Sequence, residues 1–203
     1  MVDNQIILFK FIEININVEW GYISNKYTLS ENFIKKFKDK VDWTIISYNQ
    51  NLSENTIREL QDKVNWNFIS GNKKLSENFI REFKHQVKWT SISIHQVLSE
   101  DFIREFQDKV DWFYISKHQT LSGNFIKEFH DKVNWLNISI YQDLSENLIS
   151  EFNNNVEWYN ISRFQKLSEN FIREFKNKVD WWSILYYQKL SKNFKSEFKH
   201  KLK

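Results

Sequence analysis

Residues 29–51 read LSENFIKKFKDKVDWTIISYNQN, and the same phrase returns at one fixed interval along the chain. Trp marks the period at Trp20, Trp43, Trp66, Trp89, Trp112, Trp135, Trp158 and Trp181, with no insertion in any interval. Counting each unit from its Leu gives seven complete repeats over residues 29–189, a degenerate unit over 1–28 and a half-unit over 190–203. Self-similarity at a fixed period of this length is the signature of a stacked array, so residues 1–203 are expected to form a single repeat domain.

Two architectures compete at this period. The coil of a leucine-rich repeat needs an inward apolar residue two places after the recurring Ile. That place holds Tyr48, Gly71, Ile94, Lys117, Ile140, Arg163 and Tyr186, and Lys and Arg do not suit an interior. A leucine-rich-repeat-like solenoid therefore stays as the alternative. The helical reading accounts for more residues. Ser30 is placed as an N-cap, with Leu29 and Ile34 at hydrophobic-staple spacing around it. Phe33, Phe37 and Val41 follow at i, i+4, i+8 on one apolar stripe. Asp42 then begins a second helix, and the equivalent positions are Asn65, Lys88, Asp111, Asn134, Glu157 and Asp180, five of the seven being good caps. Two caps per repeat mean two helices, of about ten and eight residues at this period. The fold class is all-α, an α-solenoid of 23-residue two-helix repeats.

The charged residues fit the first helix. Glu54–Arg58, Glu77–Arg81, Glu100–Arg104 and Glu169–Arg173 stand at i, i+4 in the favourable order, and Glu59–Lys63, Glu105–Lys109 and Glu174–Lys178 form a second set. The segment IEININV, residues 12–18, alternates as a short strand would. In the last half-unit Lys195 replaces the recurring Ile, as suits a terminal unit with a polar outer face.

Composition narrows the function classes. The chain has 203 residues with 17% aromatic and 27% charged, no Cys, no Pro and no Ala. Such a chain can bury a core and carries no disulfide framework, which agrees with a reducing, cytoplasmic setting. The first residues lack a basic n-region, and no apolar run is long enough for a membrane span. Three N-x-S sequences, at Asn51, Asn137 and Asn160, are by-products of the repeat. No Gly-rich phosphate loop, nucleophile–base arrangement or cofactor motif is present, so no enzyme and no cofactor are expected. His95 and His118 occupy equivalent places one helix-packing distance apart, too far to share one metal comfortably.

In the second helix Trp43, Ile46, Ser47 and Gln50 recur and fall within about a third of the helical circumference. They read as the packing face, and the ladder Trp43, Trp66, Trp89, Trp112, Trp135, Trp158 and Trp181 is structural. The variable positions lie on the other side and turn from polar to aromatic toward the C-terminus: Phe113, Tyr114, Tyr141, Tyr159, Arg163, Phe164, Trp182, Tyr186 and Tyr187. Two readings remain open, aromatics packed between neighbouring repeats or an exposed partner-binding strip. Residues 189–203 hold six Lys against Glu197 alone, a balance of +5, whereas the whole chain is +3. Lys192, Lys195, Lys199 and Lys201 thus form a basic cap rather than a basic stripe.

The recurring LSENFIREFKDKVDW…IS..Q, most specifically the strings LSENFIREF and DKVDW, resembles repeat proteins of giant DNA viruses of amoebae, relatives of mimivirus, over residues 29–203. The abundance of Asn, Lys, Ile and Phe agrees with an AT-rich genome of that kind. The resemblance implies expression in a host cytoplasm and brings no catalytic residues with it. The leading expectation is a non-enzymatic scaffold whose variable second-helix face binds a protein, including a host protein. The alternatives are a nucleic-acid-binding array using the C-terminal aromatics and the Lys cap, and a self-assembling structural protein forming homo-oligomers.

Overall fold

The computed structural model describes residues 18–201 and Ile12. Among the described residues there are sixteen helices and no strand, and they alternate in two short classes. The chain divides into two compact units, residues 1–96 and 97–203. In the first unit the Trp-led helices are α1 (Trp20–Lys26), α3 (Trp43–Asn49), α5 (Trp66–Asn72) and α7 (Trp89–His95). The Ser-capped helices between them are α2 (Glu31–Lys36), α4 (Glu54–Glu59) and α6 (Glu77–Glu82). In the second unit the Ser-capped helices are α8 (Glu100–Glu105), α10 (Gly123–Glu128), α12 (Glu146–Glu151), α14 (Glu169–Glu174) and α16 (Lys192–Glu197). Its Trp-led helices are α9 (Trp112–His118), α11 (Trp135–Tyr141), α13 (Trp158–Phe164) and α15 (Trp181–Tyr187). Within each unit the Trp-led helices of successive repeats pack side by side as one row. Each unit is therefore a stretch of α-solenoid built from two-helix repeats. The alternation noted over residues 12–18 lies almost wholly outside the described residues.

Capping follows the side-chain chemistry. Ser30 Oγ accepts from the backbone N–H of Phe33 at 3.2 Å, and Asp42 Oδ1 accepts from Thr44 and Ile45 at 2.9 and 3.0 Å. Asn65, Asp111, Asn134 and Asp180 cap in the same manner, whereas Lys88 and Glu157 make no side-chain cap bond.

The helices are shorter than the apolar stripe predicts: six residues for the Ser-capped class and seven for the Trp-led class. The reason is competition for backbone groups. After Lys36 the chain leaves the helix at Phe37 and closes a turn, with Lys40 and Val41 N–H both donating to Phe37 O. In a continued helix Lys38 O would accept from Asp42 N–H. Instead the Trp43 indole donates to Lys38 O at 2.7 Å, and Asp42 N–H goes to Ser24 Oγ of the preceding repeat at 3.1 Å. Val41 is buried all the same. The anticipated Glu59–Lys63 and Glu174–Lys178 pairs fail for the same reason, because each Lys lies in the turn. Lys63 pairs with Asp39 at 2.9 Å, and Lys178 donates to Asn153 and Asn154.

Packing is repetitive. Phe33, Ile34 and Ile46 are fully excluded from solvent, as are Phe125, Ile126 and Ile138 in the second unit. Each such side chain contributes about 1.5–3 kcal/mol by burial. The Trp rings are only half-buried and lie against the Phe that ends the next repeat's Ser-capped helix. The centroids are 5.0 Å apart for Trp66–Phe83, Trp112–Phe129 and Trp158–Phe175.

Polar groups then fix each repeat to its neighbour. Gln50 Oε1 accepts from Leu29 N–H at 2.8 Å, while its Nε2 donates to Ser24 O and Tyr27 O at 3.0 and 2.8 Å. Gln142 and Gln165 repeat this three-bond staple in the second unit. The recurring Ser bonds in two directions. Ser139 Oγ donates to Trp135 O at 2.7 Å and accepts from Glu157 N–H of the following repeat at 3.0 Å. The expected i, i+4 ion pairs Glu54–Arg58 and Glu169–Arg173 exist at 3.8 and 3.7 Å. Closer contacts run from one repeat to the next: Arg58–Glu82 at 2.7 Å, Arg104–Glu128 at 2.8 Å and Arg173–Glu197 at 3.0 Å.

The last repeat lacks the groups that reach forward. Leu185 stands where Ser accepts from the next repeat, Lys192 where Glu169 accepts from Ser191 N–H, and Ser196 where Arg173 meets Glu197. Gly123 and Ser150 already lack the second and third of these groups within the array, so the change to Leu185 alone is particular to the last repeat.

Candidate functional site

The variable positions of the Trp-led helices in residues 97–203 come together as one face. Three elements of local structure place it. The N-cap fixes where each seven-residue helix begins, Ile and Ser of the helix are drawn into the core, and the Gln staple holds its C-terminal end. The positions directly after Trp and directly before Gln are then left outward. They lie five residues apart, about 7.5 Å along the helix axis. They recur on neighbouring helices about 8–10 Å away. The result is two parallel rows on four helices.

Phe113, Tyr159 and Trp182 stand in the first row and Tyr141, Phe164 and Tyr187 in the second, with Tyr186 beside them. All are exposed, between 46% and 66%. Tyr114 and Arg163 are half-buried at the base of the face. Of the two sequence readings each describes part of the face: about half of every side chain is exposed, and the covered half packs within and between repeats. Arg163 lies over the rings of Phe164 and Tyr187, 5.1 Å from each centroid, and its Nη1 donates to Tyr159 Oη at 3.1 Å. Lys117 Nζ stands 5.6 Å over the Tyr141 ring of the next repeat. Trp182 and Tyr186 are 4.6 Å apart, and Phe113 meets Tyr114 edge-on at 5.2 Å. These cation–π and ring contacts hold the side chains in place while about half of each remains in water.

One member of the face was not among the expected site residues. Leu136 occupies the first row between Phe113 and Tyr159 and is 47% exposed. Its position was legible from the period, but a Leu gives no signal of its own. Beneath it Asn137 is buried and donates from Nδ2 to Phe113 O at 2.9 Å, so this N-x-S asparagine serves packing, and Asn160 is buried at the equivalent place.

The cap lysines do not join the face. Lys192 and Lys195 are exposed on α16, in the Ser-capped class, and Lys199 and Lys201 are exposed in the turn that follows. His118 stacks on Tyr114 at 6.1 Å. His95 and His118 fall in different units, and no cluster of three metal-binding side chains occurs among the described residues. No helix among the described residues is long and apolar enough to cross a membrane.

In the first unit the equivalent face is mostly polar, and its notable feature is a substitution. Lys73 takes the place of Gln and donates from Nζ to Gln50 O at 2.5 Å. A lysine cannot accept, so the bond that Leu29 and Leu75 N–H make to a Gln has no counterpart at Leu52 through this side chain. Burial lowers the Lys73 pKa below the ordinary lysine value. An open polar cleft beside it is lined by Tyr48, Asn51, Leu52 and Asn72.

Comparison with protein-family models, with curated proteins and with solved structures finds no match to the chain. The class is defined by the fold itself: a two-helix repeat protein with an exposed aromatic face on the Trp-led row of its second unit.

Proposed function

We propose that this protein is a non-enzymatic repeat scaffold that binds a protein through the exposed face of α9, α11, α13 and α15. One observation carries the reading: eight large apolar or aromatic side chains, all about half-exposed, stand in register on consecutive helices. Large contiguous exposed apolar surface on a chain rich in charge elsewhere marks an interaction site. The residue types are those that dominate binding energy at protein interfaces, Trp, Tyr and Arg with Phe and Leu around them. The polar tips of Tyr159, Tyr186 and Tyr187 and the partly desolvated Arg163 supply directional contacts.

The test is capture by the chain of residues 1–203 from a lysate of its native host, comparing wild type with the triple variant Phe113→Ser/Tyr159→Ser/Trp182→Ser. Each ring removed from the centre of an interface is expected to weaken binding by about 1–2 kcal/mol or more, so the triple variant loses its partner. Equal recovery by a triple variant of unchanged helicity removes this face from the reading.

A nucleic-acid reading draws support from the exposed lysines of α16 and the turn after it. Retention on single-stranded RNA that falls with salt and is abolished in Lys192→Glu/Lys195→Glu/Lys199→Glu would favour it. Retention unchanged by that variant dismisses it.

A further inference from the structure

We infer that the partner of the aromatic face is a second copy of this chain, docked face to face about a two-fold axis that runs parallel to the Trp-led helices between α11 and α13. The inference rests on the protein-binding reading above and names its occupant.

Area is the first reason. A Phe, Tyr or Trp buries about 150–250 Å² when covered completely. Seven such side chains and Leu136, already about half-covered, leave on the order of 800 Å² to bury, the amount each partner contributes to a stable specific interface. Periodicity is the second. The face has four rungs, one per repeat, and only a surface of the same spacing meets all four in phase. A second copy has that spacing by construction, and a two-fold pairing closes after two chains.

Charge chooses the direction. A two-fold axis along the row would put Lys117 on the same rung as the partner's Lys117, and Arg163 with the partner's Arg163, setting like charges together in a site being desolvated. An axis parallel to the helices reverses the row. The rung of α9 then meets the partner's α15, and that of α11 meets the partner's α13. Lys117 faces the aromatic cluster of Trp182 and Tyr186, where a cation is favoured. Arg163 faces the half-buried Ile140. In the first row Phe113 stands opposite Trp182, and Leu136 opposite Tyr159.

The chain of residues 1–203 tests this directly, because it contains no Cys to confuse cross-linking. Sedimentation over a range of concentrations is expected to give twice the chain mass, with association weakened at least tenfold in Phe113→Ser/Tyr159→Ser/Trp182→Ser. Under mild oxidation Phe113→Cys/Trp182→Cys is expected to yield a covalent dimer, and Phe113→Cys alone is not. Within one chain these two positions are three rungs apart, far beyond disulfide reach. A monomer at every concentration overturns the inference, as does assembly untouched by the triple variant. A covalent dimer from Phe113→Cys alone overturns the reversed row. If the chain is monomeric yet the triple variant loses a different captured protein, the binding face stands and only the self-pairing falls.

Discussion

Replacing Gln142 by Leu should loosen the array at one seam by an amount the geometry allows to be worked out. Gln142 is buried, and its side chain makes three bonds: it accepts from Leu121 N–H, at the start of its own repeat, at 3.0 Å and donates to Ser116 O at 3.0 Å and Gln119 O at 2.8 Å of the preceding repeat. Leu fills a similar volume and offers none of these. The Leu121 N–H, left in a buried site without an acceptor, costs about 1–3 kcal/mol, and each carbonyl that loses a donor costs about 1 kcal/mol. Added apolar contact offsets part of this, which leaves a destabilisation of about 3–4 kcal/mol. Gln142→Glu separates hydrogen bonding from packing. It keeps the acceptor for Leu121 but sets a carboxylate against two carbonyl oxygens at neutral pH, and it should recover as acid restores an O–H donor. Denaturant unfolding gives the stability change, and amide exchange at Leu121 locates it. A Gln142→Leu chain as stable as wild type to within about 0.5 kcal/mol, or a Leu121 amide exchanging as slowly as before, would refute the staple as the inter-repeat clamp.

Lys73→Gln should stabilise the first unit by about 1 kcal/mol at pH 7, by giving Leu52 N–H the acceptor that the other seams have. Its advantage depends on pH with a definite sign. The folded-state pKa of Lys73 lies below its unfolded value, so between the two the unfolded chain binds more protons and wild-type stability rises with pH. The gap between variant and wild type in unfolding experiments therefore narrows as pH climbs through the region just below the ordinary lysine pKa, and a gap that widened would contradict the burial argument. Arg104→Met should lower the melting temperature at low salt and lower it less at high salt. The loss comprises the pair to Glu128 and the bond to Asp101, while the cation over the Phe125 ring adds a contribution that salt screens less. Thermal melts in low and high salt read both parts, and a salt-independent loss would mean that packing alone holds Arg104.

Much of the fold was legible because the repeat is written in side chains with narrow roles. Ser30 and Asp42 are good caps and little else at those places, so the start of each helix could be read directly. Gln50 was legible as a member of the packing face. Helix length was not, because the turn after Phe37 is enforced by bonds from Trp43 within the repeat and to Ser24 in the preceding one. Apolar periodicity cannot reveal such competitors. The charges mislead for a related reason: Arg58 has Glu54 one helical turn before it in sequence, but Glu82 of the next repeat lies nearer once repeats stack. The candidate face was half legible. A helical wheel puts Phe113, Tyr159 and Trp182 outside the packing face, but whether they bury against the next repeat depends on helix spacing. Leu136 went unremarked because only its neighbours in space give it meaning.

The account rests on the aromatic rows of α9, α11, α13 and α15 being the surface at which this chain meets another protein. Placing a photo-reactive benzophenone side chain singly at Phe113, Tyr159 and Trp182, and for comparison at the exposed Asp108 and Asn154 on the Ser-capped side, measures this in the cell. The account predicts cross-linked protein adducts from the first three positions and none above background from the other two. Equal adducts from both sides, or adducts confined to Asp108 and Asn154, would contradict it.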